Sequence, residues 1–251
     1  MKQLNASIRR VNKGIGSDAF LISCESTKYI MRIENNSAHS KIKIERHEKI
    51  LRILKKEKFV QNIILVGKIN KKKFFVTNYI EGVHKIKVEK NNLIKLINIL
   101  KKVHLYKFNG GGKINPQNHK GSKTNWHSHI STTIKKLNFS NFKKITMEAK
   151  KLTESFKKIE STLKTRPSNS LLHCDINLTN IIFSGKTIHI LDWENAAVGD
   201  PLADYAIMYN FLHLKKPLMP LESRSDRKIF NFYRQLFGLE NRYYKLKYQY
   251  R

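Results

Sequence analysis

Features that stabilise secreted proteins or anchor membrane proteins are scarce in this sequence. Its 251 residues include two cysteines, which are too few for a disulfide framework or a structural zinc site. No apolar run approaches the roughly 20 residues of a membrane-spanning helix, and residues 1–12 lack the apolar segment of a secretory signal. The sequence therefore predicts neither a disulfide-rich secreted domain nor a membrane span, and a reducing cytoplasm is the expected location.

Acidic residues are also scarce, since 19 Asp and Glu face 49 Lys and Arg and give a formal net charge of +30. A charge of this size is typical of proteins that bind polyanions. The lysines, however, are spread along the chain, and Lys, Asn and Ile are abundant together, as in the products of AT-rich genomes. We attribute the charge to composition and expect no obligatory nucleic-acid partner. The alternative, a non-catalytic basic nucleic-acid-binding protein, would depend on the tyrosine-rich basic segment 241–251.

The hydrophobic pattern changes along the chain, and 40% hydrophobic residues are enough for a sizeable core. Strands with one helix come first, and helices dominate the rest. This order predicts an α+β fold with a small antiparallel-sheet lobe over residues 1–80 and a larger, mainly helical lobe over residues 81–251. The predicted strands are 19–22, 29–33, 62–69 and 73–80, the predicted helices are 41–57, 89–105, 126–137 and 145–164, and 109–125 is a predicted loop.

A β-hairpin is predicted where two short apolar runs, 181–183 and 188–191, flank the turn 184–187. Folding the hairpin back brings Asn180 and Asp192 close together at its open end. An amide and a carboxylate supply the hard oxygen ligands that Mg²⁺ binds when phosphates supply the rest. The hairpin therefore predicts a pair of magnesium ligands.

Asp175 lies five residues before Asn180, so its carboxylate is expected near the same region. A carboxylate set slightly apart from a metal can orient an incoming hydroxyl and accept its proton. For any one of the three side chains, including Asp192, ordinary turn and cap hydrogen bonds are the alternative. Together their spacing predicts phosphoryl-transfer chemistry.

The pattern His173-x-Asp175-x4-Asn180, followed by Asp192-Trp-Glu, resembles the aminoglycoside phosphotransferase and choline kinase superfamily. The resemblance implies a protein-kinase-like two-lobed fold and the cofactors ATP and Mg²⁺. It assigns Asp175 as the catalytic base, Asn180 and Asp192 as ligands of Mg-ATP, and His173 as a support of the catalytic loop. Asp204 would brace the same loop.

The resemblance also assigns nucleotide contacts in the N-terminal half. Gly14 and Gly16, with Ser17, would form a loop whose backbone approaches the phosphates. Arg32, at the end of a predicted strand, would reach the α- and β-phosphates. The sequence contains no Gly-x4-Gly-Lys-[Ser/Thr] motif, so a P-loop kinase is not expected.

Glu48 is the predicted partner of Arg32. It lies four residues after Ile44 and three before Leu51, so it shares the apolar stripe of the predicted helix. A carboxylate on a buried stripe needs a partner. Arg32 is the expected one, and Glu45 is the competing carboxylate for that pair.

The acceptor is the part of the reaction that the motifs define least. Asp-Trp-Glu in place of Asp-Phe-Gly is typical of small-molecule kinases, and the chain resembles bacterial choline/ethanolamine kinases and thiamine kinases. Their cationic alcohols need carboxylates and aromatic faces. Another hydroxylated metabolite or an aminoglycoside is the alternative acceptor. For each aromatic residue, ordinary packing in the core is the alternative to a contact with the acceptor. The acceptor site is predicted in the helical lobe, lined by several of Glu194, Trp126, Tyr209 and Asp200.

Overall fold

The computed structural model describes residues 6–13, 16–37, 39–214, 221 and 223–249. It divides into two compact units. Unit 1 comprises Met1–Ile86 and Thr179–Ala196, and unit 2 comprises Lys87–Leu178 and Ala197–Arg251. The division at residue 80 into a nucleotide-binding and an acceptor-binding lobe stays a prediction.

The elements are numbered in chain order through both units. The strands are β1 Ala6–Lys13, β2 Ser17–Cys24, β3 Thr27–Glu34, β4 Ile63–Ile69, β5 Lys72–Asn78, β6 Gly111–Ile114, β7 Gly121–Lys123, β8 Ser170–Leu172, β9 Ile181–Ser184, β10 Thr187–Ile190 and β11 Ala197–Gly199. The α-helices are α1 Ser40–Ile53, α2 Lys90–Val103, α3 Trp126–Asn138, α4 Lys143–Thr165, α5 Pro201–Phe211 and α6 Arg224–Gln249. The α+β fold class predicted from the sequence is confirmed.

Unit 1 contains an antiparallel five-stranded sheet in the order β1-β2-β3-β5-β4. Asn70 and Lys71 connect β4 to β5 with φ angles of 48° and 66°. Two left-handed residues make the tight turn that matches strand twist. The predicted strand pairs are confirmed, and β5 pairs with β3 as well as with β4.

Strand β1 is absent from the sequence-based prediction. Its described side chains are exposed, as at a sheet edge, and the register shifts between Arg10 and Asn12. A bulge breaks the period-2 pattern by which a strand is recognised, and charged residues are common on edge strands because they oppose further pairing. Because of the bulge and the charged residues, β1 lacks the alternating pattern from which a strand is predicted.

Helix α1 packs on the sheet of unit 1 with the apolar stripe that the sequence predicts. Ile44, Ile50 and Leu51 are 1%, 0% and 2% exposed. The helix ends at Ile53, four residues before the predicted end. The stripe stays in register over the predicted helix, so Glu48 lies on its buried side as expected.

Strands β9 and β10 form the predicted hairpin within unit 1, with Ile181 opposite Ile190. The chain after β5 adds to it, because Val83 and Phe183 exchange two backbone hydrogen bonds of 3.0 Å. A Cβ atom on Gly82 would lie 2.6 Å from the Phe183 carbonyl oxygen. Glycine is therefore required at residue 82 for the chain to approach β9.

Unit 2 combines α2–α6 with a four-stranded sheet in the order β7-β6-β11-β8. Two of these strands, β6 and β7, fall in the predicted loop 109–125, because short glycine-rich strands carry no apolar period. No helix within the described ranges is long and apolar enough to cross a membrane. The core is rich in aromatic side chains of α3–α6, among them Trp126, Phe156, Tyr209, Phe230, Phe232 and Tyr233.

Candidate active site

The predicted catalytic loop follows β8 in unit 2 and is built from local contacts. His173 is fully buried, and its Nδ1 atom accepts a hydrogen bond of 3.1 Å from the backbone N–H of Asp175. Asn177 Nδ2 donates to Asp175 Oδ1 at 2.9 Å. Cys174 has a φ of 62°, a left-handed conformation that costs free energy for a residue with a side chain. The loop therefore holds one carboxylate in a defined direction.

Asp204 of α5 stabilises this strained turn. Its carboxylate is fully buried and accepts hydrogen bonds from the backbone N–H groups of His173 (2.8 Å) and Cys174 (2.7 Å). His104 Nε2 lies 3.2 Å from the same carboxylate. The prediction that Asp204 braces this loop is confirmed, and the catalytic role of the loop stays a prediction.

Burial alone would raise the pKa of the Asp204 carboxyl. The hydrogen bonds with His104 and with the backbone N–H of Cys174 outweigh it and lower the pKa below its ordinary value. Asp204 is therefore ionised, and the loop depends on that charge.

We expect Asp204→Ala to lower the free energy of unfolding by about 3–5 kcal/mol, because it leaves buried donors of His173, Cys174 and His104 without an acceptor. Urea denaturation measures the change. Glu154→Gln, at an exposed pair on α4, is the control and should leave stability near the wild-type value. A loss from Asp204→Ala as small as the control's would contradict the bracing role.

The same carboxylate predicts a pH dependence of stability. Because folding lowers the pKa of Asp204, its contribution is fully present above the unfolded pKa of about 3.9 and is lost as the pH falls through the folded value. The stability difference between wild type and Asp204→Ala should therefore shrink below about pH 4. A difference that grows on acidification would contradict this sign.

In unit 1 the hairpin brings the predicted magnesium ligands to one end. Leu191 N–H donates to the Asn180 carbonyl oxygen at 2.8 Å. Asn180, just before β9, and Asp192, just after β10, therefore lie at the same open end of the hairpin. Asn180 is 9% exposed. Asp192 is left-handed, with φ 62° and ψ 70°. Such a backbone persists in a non-glycine residue where its surroundings fix it, which is common at functional sites.

Arg32 of β3 lies beside Asp192 rather than beside Glu48. The distance from Arg32 Nη2 to Asp192 Oδ2 is 3.6 Å, and Arg32 Nη1 donates to Ser17 Oγ at 3.4 Å. Arg32 is 12% exposed, so a cation is held next to the carboxylate in partly buried surroundings. Three predicted nucleotide-site residues, Ser17, Arg32 and Asp192, are thus brought together within unit 1.

The predicted Arg32–Glu48 ion pair is wrong. Glu48 pairs with Lys73 of β5 at 2.9 Å and with Arg52 of its own helix at 2.5 Å. Burial raises the pKa of Glu48. The hydrogen bonds and charges of Arg52 and Lys73 lower it by more, so the pKa lies below its ordinary value. The alternative Glu45 also faces Lys73, at 3.9 Å. The strand order explains this pairing. Because β5 lies beside β3 in the sheet, Lys73 of β5 is placed to contact Glu48 on α1.

The predicted glycine loop is described in part. Gly14 lies outside the described residues. Gly16 accepts a hydrogen bond of 2.5 Å at its carbonyl oxygen from Ser40 Oγ, and Ser17 is 4% exposed at the start of β2. Gly16 is therefore held by the first turn of α1. Its nucleotide contacts stay a prediction.

Glu194, a predicted acceptor-binding residue, is engaged within unit 1. Its carboxylate forms an ion pair of 3.0 Å with Lys43, and its carbonyl oxygen accepts a hydrogen bond of 2.8 Å from Arg46. Burial and the neighbouring charge of Asp192 raise the pKa of Glu194, while Lys43 opposes them. Sequence reasoning missed Lys43, Arg46 and Asn177. The signal for the first two was the spacing of basic residues next to the apolar stripe of α1.

The predicted aromatic acceptor residues lie in the core of unit 2. Trp126 is 1% exposed, and its indole N–H donates to the Tyr233 hydroxyl at 2.9 Å. Tyr209 is fully buried and contacts Phe230 edge to face. Both rings pack in the core, which is the alternative considered for each aromatic residue in the sequence. A direct contact with an acceptor stays a prediction.

Asp200, the remaining expected pocket carboxylate, is 1% exposed and paired with Arg166 at 2.8 Å. It also caps α5 through Leu202 N–H and accepts from the Tyr233 hydroxyl. Burial raises the pKa of Asp200, against the opposing charge of Arg166. Asp200 therefore serves the helix start and the core, where Arg166 compensates its charge.

The predicted magnesium ligands at the hairpin end have chemistry that suits this ion. Asn180 and Asp192 offer an amide and a carboxylate oxygen, and Mg²⁺ is commonly held by one or two such groups plus phosphates. Within the described ranges no cluster of three or more His, Cys, Asp or Glu side chains could hold a metal by itself.

Comparison with known proteins gives the family. A family model described as the phosphotransferase enzyme family (APH) matches residues 7–232. A search of curated proteins found no match.

Solved structures share the fold over nearly the whole chain. Aminoglycoside phosphotransferase APH(4)-Ia is 14% identical with a TM-score of 0.73, over 96% of this chain and 87% of that one. Choline kinase LicA from Streptococcus pneumoniae is 16% identical with a TM-score of 0.63, over 96% and 86%. The fold is accordingly protein-kinase-like, with an antiparallel-sheet N-terminal lobe and a helical C-terminal region. The family match spans most of the sequence, and the chain belongs to the phosphotransferase enzyme family.

Proposed function

We propose that the protein is an ATP-dependent kinase that transfers the γ-phosphoryl group to a hydroxyl of a small molecule. The observation that carries this proposal is the catalytic loop, in which Asp175 is oriented by Asn177 and the backbone is braced by the ionised Asp204. A loop that fixes one carboxylate at the cost of a strained neighbour is suited to accepting a proton from a positioned hydroxyl.

Nucleotide binding is assigned to unit 1. Arg32 would bind phosphate oxygens, and Asn180 and Asp192 would hold magnesium. Bound Mg²⁺ would neutralise phosphate charge during transfer. Support for ATP as the donor comes from the similar APH(4)-Ia, which has been crystallised with ADP and with AMP-PNP together with hygromycin B.

For the acceptor we propose a cationic alcohol, with choline, ethanolamine and thiamine as candidates. The similar LicA is a choline kinase. Two expected carboxylates, Glu194 and Asp200, are already paired with Lys43 and Arg166. A cationic acceptor would therefore depend chiefly on Asp175.

The environment of the loop residue next to Asp175 contains charges of both signs. Burial raises the pKa of the Cys174 thiol, the charges of Asp204, Glu240 and Asp175 add to the rise, and Lys113 opposes it. Glu240 is itself paired with Lys136 at 2.6 Å, as Glu194 and Asp200 are with Lys43 and Arg166.

The proposal is tested by coupled ADP release with choline, ethanolamine, thiamine, an aminoglycoside and a neutral sugar alcohol. We expect turnover with at least one of the three cationic alcohols. Turnover with only the sugar alcohol would overturn the cationic class and keep the kinase. Turnover with only the aminoglycoside would favour the second candidate, which is supported by the similarity to APH(4)-Ia.

A further inference from the structure

We propose that one side of α1, formed by Ser40, Lys43 and Arg46, positions both Gly16 and the segment that carries Asp192. The Lys43–Glu194 ion pair is at its centre. Glu194 is then a positioning residue for the metal ligand rather than an acceptor contact. This inference rests on the proposed nucleotide and magnesium site of unit 1.

The helix geometry explains how three residues reach two different segments. Ser40, Lys43 and Arg46 are spaced by three residues, so they lie close together along one side of α1. The Ser40 hydroxyl donates to the Gly16 carbonyl oxygen, Lys43 pairs with the Glu194 carboxylate, and Arg46 donates to the Glu194 carbonyl oxygen. One helix therefore contacts both Gly16 and Glu194, which lies two residues after Asp192.

The segment after Asp192 is fixed at successive residues. Trp193 is fully buried, and its indole N–H donates to the Ile190 carbonyl oxygen at 3.2 Å. Glu194 is held by its carboxylate and by its carbonyl oxygen. Because the left-handed backbone of Asp192 needs such surroundings to persist, these contacts set the direction of its carboxylate.

Gly16 links the two segments through the space that it leaves open. A Cβ atom there would lie 2.5 Å from Glu194 Oε2 and 2.5 Å from Lys43 Cδ. Real Cβ atoms do not approach so closely, so a side chain at Gly16 would displace the ion pair. Glycine at residue 16 thus leaves the room that the Lys43–Glu194 pair occupies.

A purely structural ion pair is the competing explanation, and its consequences differ. Lys43 and Glu194 are 22% and 13% exposed, and ion pairs that keep contact with water contribute little to stability. Losing such a pair would lower the melting temperature slightly and leave the metal dependence of nucleotide affinity intact. Losing a positioning pair would reduce that metal dependence selectively.

The test is calorimetric titration of AMP-PNP with and without MgCl₂ into wild type, Glu194→Gln and Lys43→Met. We expect the magnesium-dependent gain in affinity to fall by about 10–100-fold in each variant, as when groups that orient metal ligands are removed. The affinity without magnesium should stay at the wild-type value. Lys43→Arg keeps a cation next to Glu194 and should retain most of the gain.

Glu240→Gln is the matched control. It removes a Lys–Glu pair of similar exposure in unit 2, with side chains 34% and 21% exposed, and should leave both affinities unchanged.

If magnesium increases the AMP-PNP affinity of Glu194→Gln and Lys43→Met as much as that of wild type, the inference is wrong. It is also wrong if these variants lose the same affinity with and without magnesium, because that result indicates general destabilisation. A wild-type protein with no magnesium-dependent gain would instead reject the proposed magnesium site itself.

Discussion

Asp175→Asn is expected to lower kcat by about 10²–10⁴-fold, the range for loss of a general base. The substitution preserves the shape of the side chain and an oxygen that can accept from Asn177, but it removes the ability to take a proton. The affinity for AMP-PNP with magnesium should be retained, because the change removes no proposed nucleotide contact. The measurement is steady-state turnover with the acceptor found by the screen, beside a titration of AMP-PNP.

Asp226→Asn is a matched control, since it makes the same chemical change at a carboxylate that pairs with Arg166 and accepts hydrogen bonds from the backbone N–H and the hydroxyl of Ser223, just before α6. It should leave turnover near the wild-type value. Near-normal kcat in Asp175→Asn would refute the assignment of the base. An equal loss of kcat and of AMP-PNP affinity would show that the loop, not the proton acceptor, had been damaged.

The catalytic loop and the hairpin could be predicted because their contacts are local in sequence. Asp175, Asn177 and His173 contact one another within five residues. The β9–β10 register follows from a short turn between two apolar runs. Spacing therefore predicts Asp175 near Asn180 and Asp192, while the family resemblance adds His173, and Asn177 is missed.

The partner of Arg32 could not be predicted, because it depends on the order of strands in the sheet. Glu48 lies on the buried side of α1, as its spacing predicts, but β5 pairs with β3 and places Lys73 within 2.9 Å of it. That pairing joins segments far apart in sequence, which helical and strand periods do not encode. Arg32 is left to Asp192 instead.

The acceptor residues were the weakest part of the prediction for a related reason. Trp126 and Tyr209 are suited to binding a cation by residue type, yet both are buried in the aromatic core of unit 2. Aromatic side chains contribute large apolar area, so in a helical lobe they serve packing first. Residue type therefore constrains the catalytic loop more than the acceptor site.

Asp192→Ala should abolish the magnesium-dependent part of nucleotide affinity. Asp192 offers the carboxylate of the proposed ligand pair, and removing a direct ligand should cost more than the roughly 10–100-fold typical of outer groups. Its loss also leaves Arg32 without the carboxylate at 3.6 Å. Arg32 then remains as a cation for phosphates, so AMP-PNP should still bind without magnesium. Calorimetric titration with and without MgCl₂ separates these two affinities.

The outcomes for Asp192→Ala distinguish a metal ligand from a residue that only partners Arg32. Asp226→Ala removes another carboxylate paired with an arginine and should keep the full magnesium-dependent gain. If Asp192→Ala keeps that gain as well, Asp192 does not bind the metal. If Asp192→Asn restores most of the gain while Asp192→Ala does not, an oxygen at this position is sufficient. If both variants lose the magnesium-dependent gain and still bind AMP-PNP normally without magnesium, the negative charge of Asp192 is required, as expected for a direct ligand of Mg²⁺.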